Sequence, residues 1–151
     1  MLRRPESASP LADFARERFL NVVPEREIED VRRILICTGK IGHELRAERH
    51  RRSDTETAIV FLDQLYPFPE AELSAELARH SQAKEIVWVQ EEPANMGALF
   101  YVLPRIRELA GHLPLRSIKR SASASPATGS AKAHELEQKT LLTLAFTTTE
   151  N

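Results

Sequence analysis

A three-layer α/β domain built on a mostly parallel sheet is the fold class that this chain predicts, and three observations carry it. Runs of apolar and β-branched residues without polar alternation recur at residues 34–36, 57–62 and 86–89, as in strands covered on both faces. Stretches with apolar residues at helical spacing lie between and after them, Leu99, Val102, Leu103, Ile106, Leu109 and Ala110 being the clearest. Turn signals such as Thr38-Gly39-Lys40 join the two kinds of segment. Strand and helix in alternation place helices over both faces of a sheet whose strands run the same way.

Taken in order, Ser9-Pro10 is a cap and first-turn pair, and Leu11, Phe14, Ala15 and Phe19 form a short helical stripe that needs a surface to pack on. Pro24 and the charged residues 25–30 read as a linker. The expected organisation is an N-terminal arm, short helix and linker over 1–30, a compact domain over 31–146 and a frayed tail over 147–151. The first strand falls in 31–37. A helix follows over about 41–52, with Ile41 and Leu45 inward and a basic end, residues 46–52, that suits a solvated helix C-terminus or a phosphate or partner contact.

After the strand at 57–62, Gln64-Leu65-Tyr66-Pro67-Phe68-Pro69 is stiffened by two prolines, the second at a helix first turn. The helix over 69–80 turns Leu73 and Leu77 inward and Glu70, Glu72 and Glu76 outward. The strand at 86–89 ends in polar residues, and Asn95 suits the cap of a helix starting near Met96. Pro104 is expected to bend or divide that helix, and Gly111 to stop it. A fourth strand at 115–119, a loop of small residues at 121–129 and a helix over 130–146 complete the chain. Ala133, Leu136, Thr140, Leu141 and Leu144 share one side of that last helix.

Size and composition narrow the function classes. A chain of 151 residues, 42% hydrophobic and 28% charged, suits one globular domain. No apolar run approaches the roughly 18–20 residues that cross a bilayer, and Met1-Leu2-Arg3-Arg4-Pro5 lacks the apolar core of a secretory signal. A net charge of −1 gives no global field for nucleic acid. A single cysteine, Cys37, excludes an internal disulfide and a cysteine-cluster metal site and suits a reducing, cytoplasmic-type compartment. Cys37 itself reads as an inert buried thiol.

No catalytic constellation emerges from the residues. The turn Thr38-Gly39-Lys40-Ile41-Gly42 lacks phosphate-loop spacing, although amides at its helix start could hold an anion. His43, His50, His80, His112 and His134 show no metal-ligand spacing and read as surface or capping residues. The carboxyl end of the central strand, where open α/β sheets bind ligands and partners, carries Gln90, Glu91 and Glu92. Adjacent glutamates in extended backbone face opposite ways, so they are not a paired acid and base. An internal ion pair or an interface contact suits them better. Arg120, at the end of the fourth strand, and the small-residue loop beyond it suit an anion, a close approach by another chain, or nothing more than a loop.

Several strings together resemble one family. Ile36-Cys37-Thr38-Gly39-Lys40, Ala58-Ile59-Val60, Gln64 to Pro69, Trp88-Val89-Gln90-Glu91-Glu92-Pro93-Ala94-Asn95-Met96-Gly97-Ala98, the loop 121–129 and residues 132–138 follow in the order seen in the C-terminal domain of the thiamine-diphosphate-dependent, decarboxylating component of the 2-oxoglutarate dehydrogenase complex. Ile41-Gly42-His43 and Leu99 depart from that pattern. The resemblance implies a transketolase C-terminal-like fold, with about five strands, one of them an antiparallel edge strand; the residues themselves predict four. It implies a dimeric parent that decarboxylates 2-oxoglutarate in the tricarboxylic acid cycle and passes a succinyl group to a lipoyl-bearing succinyltransferase. Thiamine diphosphate and magnesium would be held by preceding domains, so this chain alone is expected to be inactive.

The resulting expectation is a non-catalytic assembly or regulatory domain. Its partners are the preceding catalytic domains and the dimer mate, and its interface candidates are Gln90, Glu91, Glu92, Asn95 and Gly97. No membrane or nucleic-acid partner is expected. The location is cytoplasmic if the chain is bacterial and the mitochondrial matrix if eukaryotic. The rival is a free-standing module for an anionic small molecule such as acetyl-CoA or a nucleotide, with Arg3, Arg4 and Arg120 as anion candidates. The equivalent domain of pyruvate dehydrogenase or transketolase is a third reading, against which the Gln64 to Pro69 and Gln90 to Gly97 strings argue.

Overall fold

The structure, a computed structural model, describes residues 8, 11, 15 and 19–147. Arg3, Arg4, most of the helix expected around Ser9-Pro10 and residues 148–151 lie outside them. Five strands, β1 (Val22–Val23), β2 (Arg33–Cys37), β3 (Thr57–Leu62), β4 (Glu85–Pro93) and β5 (Leu115–Arg120), form one sheet in the order β1-β3-β2-β4-β5. β1 runs antiparallel to β3, and the other neighbours are parallel. Four helices, α1 (Ile41–Arg52), α2 (Glu70–Arg79), α3 (Leu99–Ala110) and α4 (Ala131–Ala145), cover the two faces.

β2, β3 and most of β4 are buried on both sides because every other side chain meets a different helix pair. Ile34, Ile36, Val60, Ile86 and Trp88 pack with Leu73 and Leu77 of α2 and Val102 and Ile106 of α3. Leu35, Cys37, Ile59, Phe61, Val87 and Val89 pack with Ile41 and Leu45 of α1 and Leu141 and Ala145 of α4. Gly42 is required by this layering: a Cβ there would lie 2.2 Å from the Phe61 ring, so α1 rests directly on that ring. Pro104 sits inside α3 without dividing it.

Several expectations are corrected. The fifth strand comes from Val22-Val23, inside the segment read as arm and linker; two residues halted by Pro24 are too few to show a period. Glu25, expected in the linker, is 1% exposed. Its carboxylate accepts from Arg49 Nη1 at 2.5 Å, from the Ile59 amide at 2.7 Å and from the Arg26 and Glu27 amides at 2.9 and 2.8 Å. Arg49 Nη1 also donates to the Thr57 carbonyl at 3.1 Å. The pair thus occupies backbone groups at the margin of β3 that a longer β1 would have taken, since a sheet edge leaves such groups open. Arg49 is therefore buried, although its neighbours Arg51 and Arg52 form a surface cluster on Glu48.

Glu76, read as outward, and His80, read as a surface or capping residue, are buried as well, His80 at the C-cap of α2. Glu76 accepts from the Glu25 amide at 2.8 Å and from Arg79 at 2.6 Å, and His80 Nε2 lies 3.1 Å from its carboxylate. In α4 the buried residues are Gln138, Leu141 and Ala145, while Leu136 and Leu144 face outward. Helical spacing offered two stripes, and the less apolar one faces the sheet.

Candidate functional site

The carboxyl edge of the parallel strands is the place where this architecture presents chemistry. Gly39 makes the turn after β2 with φ +69°, a conformation natural to glycine, and delivers Lys40 to the start of α1. On β4 the ladder with β5 is regular from Ile86 to Val89 and then shifts: three residues, Gln90 to Glu92, stand between the pairs Val89–Ile118 and Pro93–Arg120, where β5 has only Lys119. Such a bulge re-aims side chains. Gln90 turns inward, 1% exposed, accepting from Trp88 Nε1 at 3.0 Å and donating to the carbonyls of Met96 at 2.9 Å and Pro93 at 3.2 Å. It holds the turn that follows β4 against the core.

Glu91 emerges between α1 and α4. Its Oε1 lies 2.6 Å from Lys40 Nζ and accepts from Gln138 Nε2 at 3.0 Å. Lys40 also reaches Glu44 Oε1 at 2.6 Å, and Gln138 Nε2 reaches Glu44 Oε2 at 2.7 Å. Partial burial pulls the Lys40 pKa down, but the hydrogen bonds and charges of Glu44 and Glu91 outweigh it and hold the ammonium above its usual range. A lysine kept protonated is neither base nor nucleophile near neutral pH. The internal ion pair is the role that the geometry gives Glu91.

Arg120 is drawn into the same edge. Its Nη2 donates to Gln138 Oε1 at 3.1 Å and lies 3.2 Å from His134 Nδ1, while Nε stands 3.5 Å from Glu137 Oε2. Glu137 also accepts from the Thr128 hydroxyl at 2.5 Å. Asn95 does not cap a helix, for α3 begins at Leu99 with Ala98 before it. Its amide instead clasps the small-residue loop, accepting from the Ser123 N–H at 3.0 Å and donating to the Ser123 carbonyl at 2.9 Å. Gly97, at φ +69°, lies under the Glu92 side chain, which a Cβ would meet at 3.1 Å. Glu92 remains exposed, and Tyr66, in the loop after β3, is 82% exposed at the same edge.

The Cys37 thiol is buried and pushed up to about 12 by burial, so it carries no thiolate at neutral pH. Among the described residues no three His, Cys, Asp or Glu side chains converge where a metal ion could sit, and no helix is long and apolar enough to cross a membrane. Sequence reasoning missed Lys40, Glu44 and Gln138. The first two carry a legible signal, four-residue spacing on a helix start, whereas Gln138 carries none.

A five-stranded, mostly parallel sheet with one antiparallel edge strand is a transketolase-like architecture. The solved structure described as "Split gene transketolase, inactive beta4 tetramer" superposes with a TM-score of 0.57 over 85% of this chain and 41% of that one, at 13% identity, a likeness of fold alone. The sequence is more specific: residues 8–146 match the family described as 2-oxoglutarate dehydrogenase C-terminal, and the chain belongs to that family. It is similar to the 2-oxoglutarate dehydrogenase E1 components of Cupriavidus necator (41% identity over 97% of this chain), a Geobacillus species (38% over 99%) and Azotobacter vinelandii (40% over 97%). In each case the chain spans 16% of the relative, about a sixth of its length.

Proposed function

We propose that this chain is a non-catalytic assembly domain of a 2-oxoglutarate dehydrogenase E1 component, and that the thiamine-dependent decarboxylation of 2-oxoglutarate and succinyl transfer to a lipoyl arm are the work of the polypeptide preceding it in such enzymes. The observation that carries this is the state of the carboxyl edge: Lys40, Glu44, Glu91, Gln138 and Arg120 are consumed by one another. A catalytic acid or base needs a group free to meet a substrate proton.

On this reading the rim made by Glu92, Asn95, Gly97 and Tyr66 faces the preceding catalytic domains or the dimer mate, with Gln90 and Glu91 holding it in shape from behind. The lipoyl-bearing succinyltransferase is then a partner of the whole enzyme, and the bacterial relatives support a cytoplasmic location. An anion-binding role has less support, because Arg120 is already committed to α4. The test is a steady-state assay of the pure chain with 2-oxoglutarate, thiamine diphosphate, magnesium and an electron acceptor. No turnover is expected; turnover abolished by Lys40→Met or Glu91→Gln would replace this reading with a catalytic one.

A further inference from the structure

β5 is the sheet's outer strand on the side away from β1, and between it and α3 runs an open groove of about 310 Å³. Phe100, Leu103 and Pro104 form the helix wall and Leu115 and Ser117 the strand wall. Phe100 is 75% exposed. α3 follows the carboxyl end of β4 and β5 returns from its far end, so helix and strand run in opposite directions. Phe100 to Arg107 therefore spans roughly 10 Å of groove.

The polar groups along the groove are one-sided. Because Ile86 N–H donates to the Pro114 carbonyl, the alternation of a parallel ladder turns the backbone of Leu115, Ser117 and Lys119 away from β4. Two of those outward carbonyls already have cationic partners: Arg107 Nη2 donates to Leu115 O at 3.1 Å, and Lys119 Nζ lies 3.4 Å from Ser117 O and 2.9 Å from its hydroxyl. Among the described residues neither Arg107 nor Lys119 has an ion-pair partner. The margin thus offers amide donors and positive charge but few acceptors. An added β-strand needs both in alternation, and a second copy of this margin would bring cations against cations.

We propose that this groove is a docking site for an acidic peptide segment of a separate polypeptide, seated by a large apolar side chain against Phe100, Leu103 and Leu115 and by flanking carboxylates on Arg107 and Lys119. The groove lies alongside the carboxyl-edge rim, with Lys119 adjoining Arg120 and Phe100 three residues beyond Gly97.

A random peptide library displayed on phage, panned against the 151-residue chain, tests it. Enriched peptides, synthesised and titrated calorimetrically, should carry an aromatic or leucine flanked by Asp or Glu. They should bind at least 10-fold more weakly to Arg107→Glu and to Phe100→Ser, and within 2-fold of the parent to Glu92→Lys. Peptides without acidic enrichment, or affinities that both groove variants leave unchanged, would overturn the proposal. So would a dimer in sedimentation that Phe100→Ser dissolves, which would give the groove to a second copy.

Discussion

Two charge networks on this sheet look alike on paper and differ in what surrounds them. At the β1 side, Glu25 and Arg49 are both 1% exposed and bond to the backbone of Arg26, Glu27, Ile59 and Thr57, while Arg49 also pairs with the half-exposed Glu27 carboxylate. At the carboxyl edge, Lys40 is 41% exposed and Glu91 22%, and their partners are other side chains. The first pair replaces missing strand and cannot be solvated when broken; the second clamps loops that water can reach. Breaking a buried pair by removing one member leaves an uncompensated charge, whereas a surface pair contributes little.

The largest expected effect is therefore Glu25→Ala, which should lower stability by about 3–5 kcal/mol, read from urea unfolding followed by circular dichroism. The double change Glu25→Met with Arg49→Met sharpens the point. Many buried ion pairs are replaced by apolar residues without loss; here recovery should be incomplete, because the Arg26, Glu27 and Ile59 amides lose their acceptor. Full recovery would show that the charges and not the backbone contacts define this site.

Next comes Gln90→Leu, which orphans Trp88 Nε1 and the carbonyls of Pro93 and Met96 and should cost about 1–3 kcal/mol, with a change in tryptophan fluorescence. Lys40→Met should cost less than about 1 kcal/mol in the same unfolding assay; a loss as large as that of Glu25→Ala would erase the contrast between the two networks. The smallest expected effect is on pH dependence. Burial raises the Glu85 pKa, but hydrogen bonds and charges from Arg116 and Arg33 outweigh it and hold the carboxyl below its ordinary range. A carboxylate depressed in the folded state contributes stability above its unfolded pKa, lost as the pH falls through the folded value. Glu85→Gln should flatten the acid limb below about pH 4.5 while leaving its shape near neutrality unchanged, measured by thermal melts across pH.

Three of the parallel strands, β2, β3 and β4, were legible because burial on both faces writes itself as uninterrupted apolar runs, and residues 57–62 match β3 to the residue. What sequence reading missed falls where side chains do backbone work. Val22-Val23 is too short to carry a period. Glu25, Arg49, Glu76 and His80 are charged or polar at helical and linker positions where pattern reading turns them outward, and only tertiary contacts reveal that they complete an edge. Glu91 as an internal ion-pair partner was foreseen as one of two roles; Asn95 as a latch on Ser123 was not, because a capping residue and a loop clasp use the same side-chain oxygen. In α4 the expected stripe had Leu141 right but carried Leu136 and Leu144 with it in place of Gln138 and Ala145, because hydrophobicity ranks the leucines first; Thr140 and Thr143 turn their hydroxyls back onto the carbonyls of Leu136 and Lys139.

The brevity of β1 bears on how this domain can be excised. A recombinant piece starting at Val31 would discard both the two-residue strand and the Glu25 carboxylate, stranding the Arg49 guanidinium and baring the flank of β3 as a template for intermolecular pairing. Such a shortened protein should precipitate or form soluble oligomers on gel filtration, while one starting at Phe19 should stay dispersed.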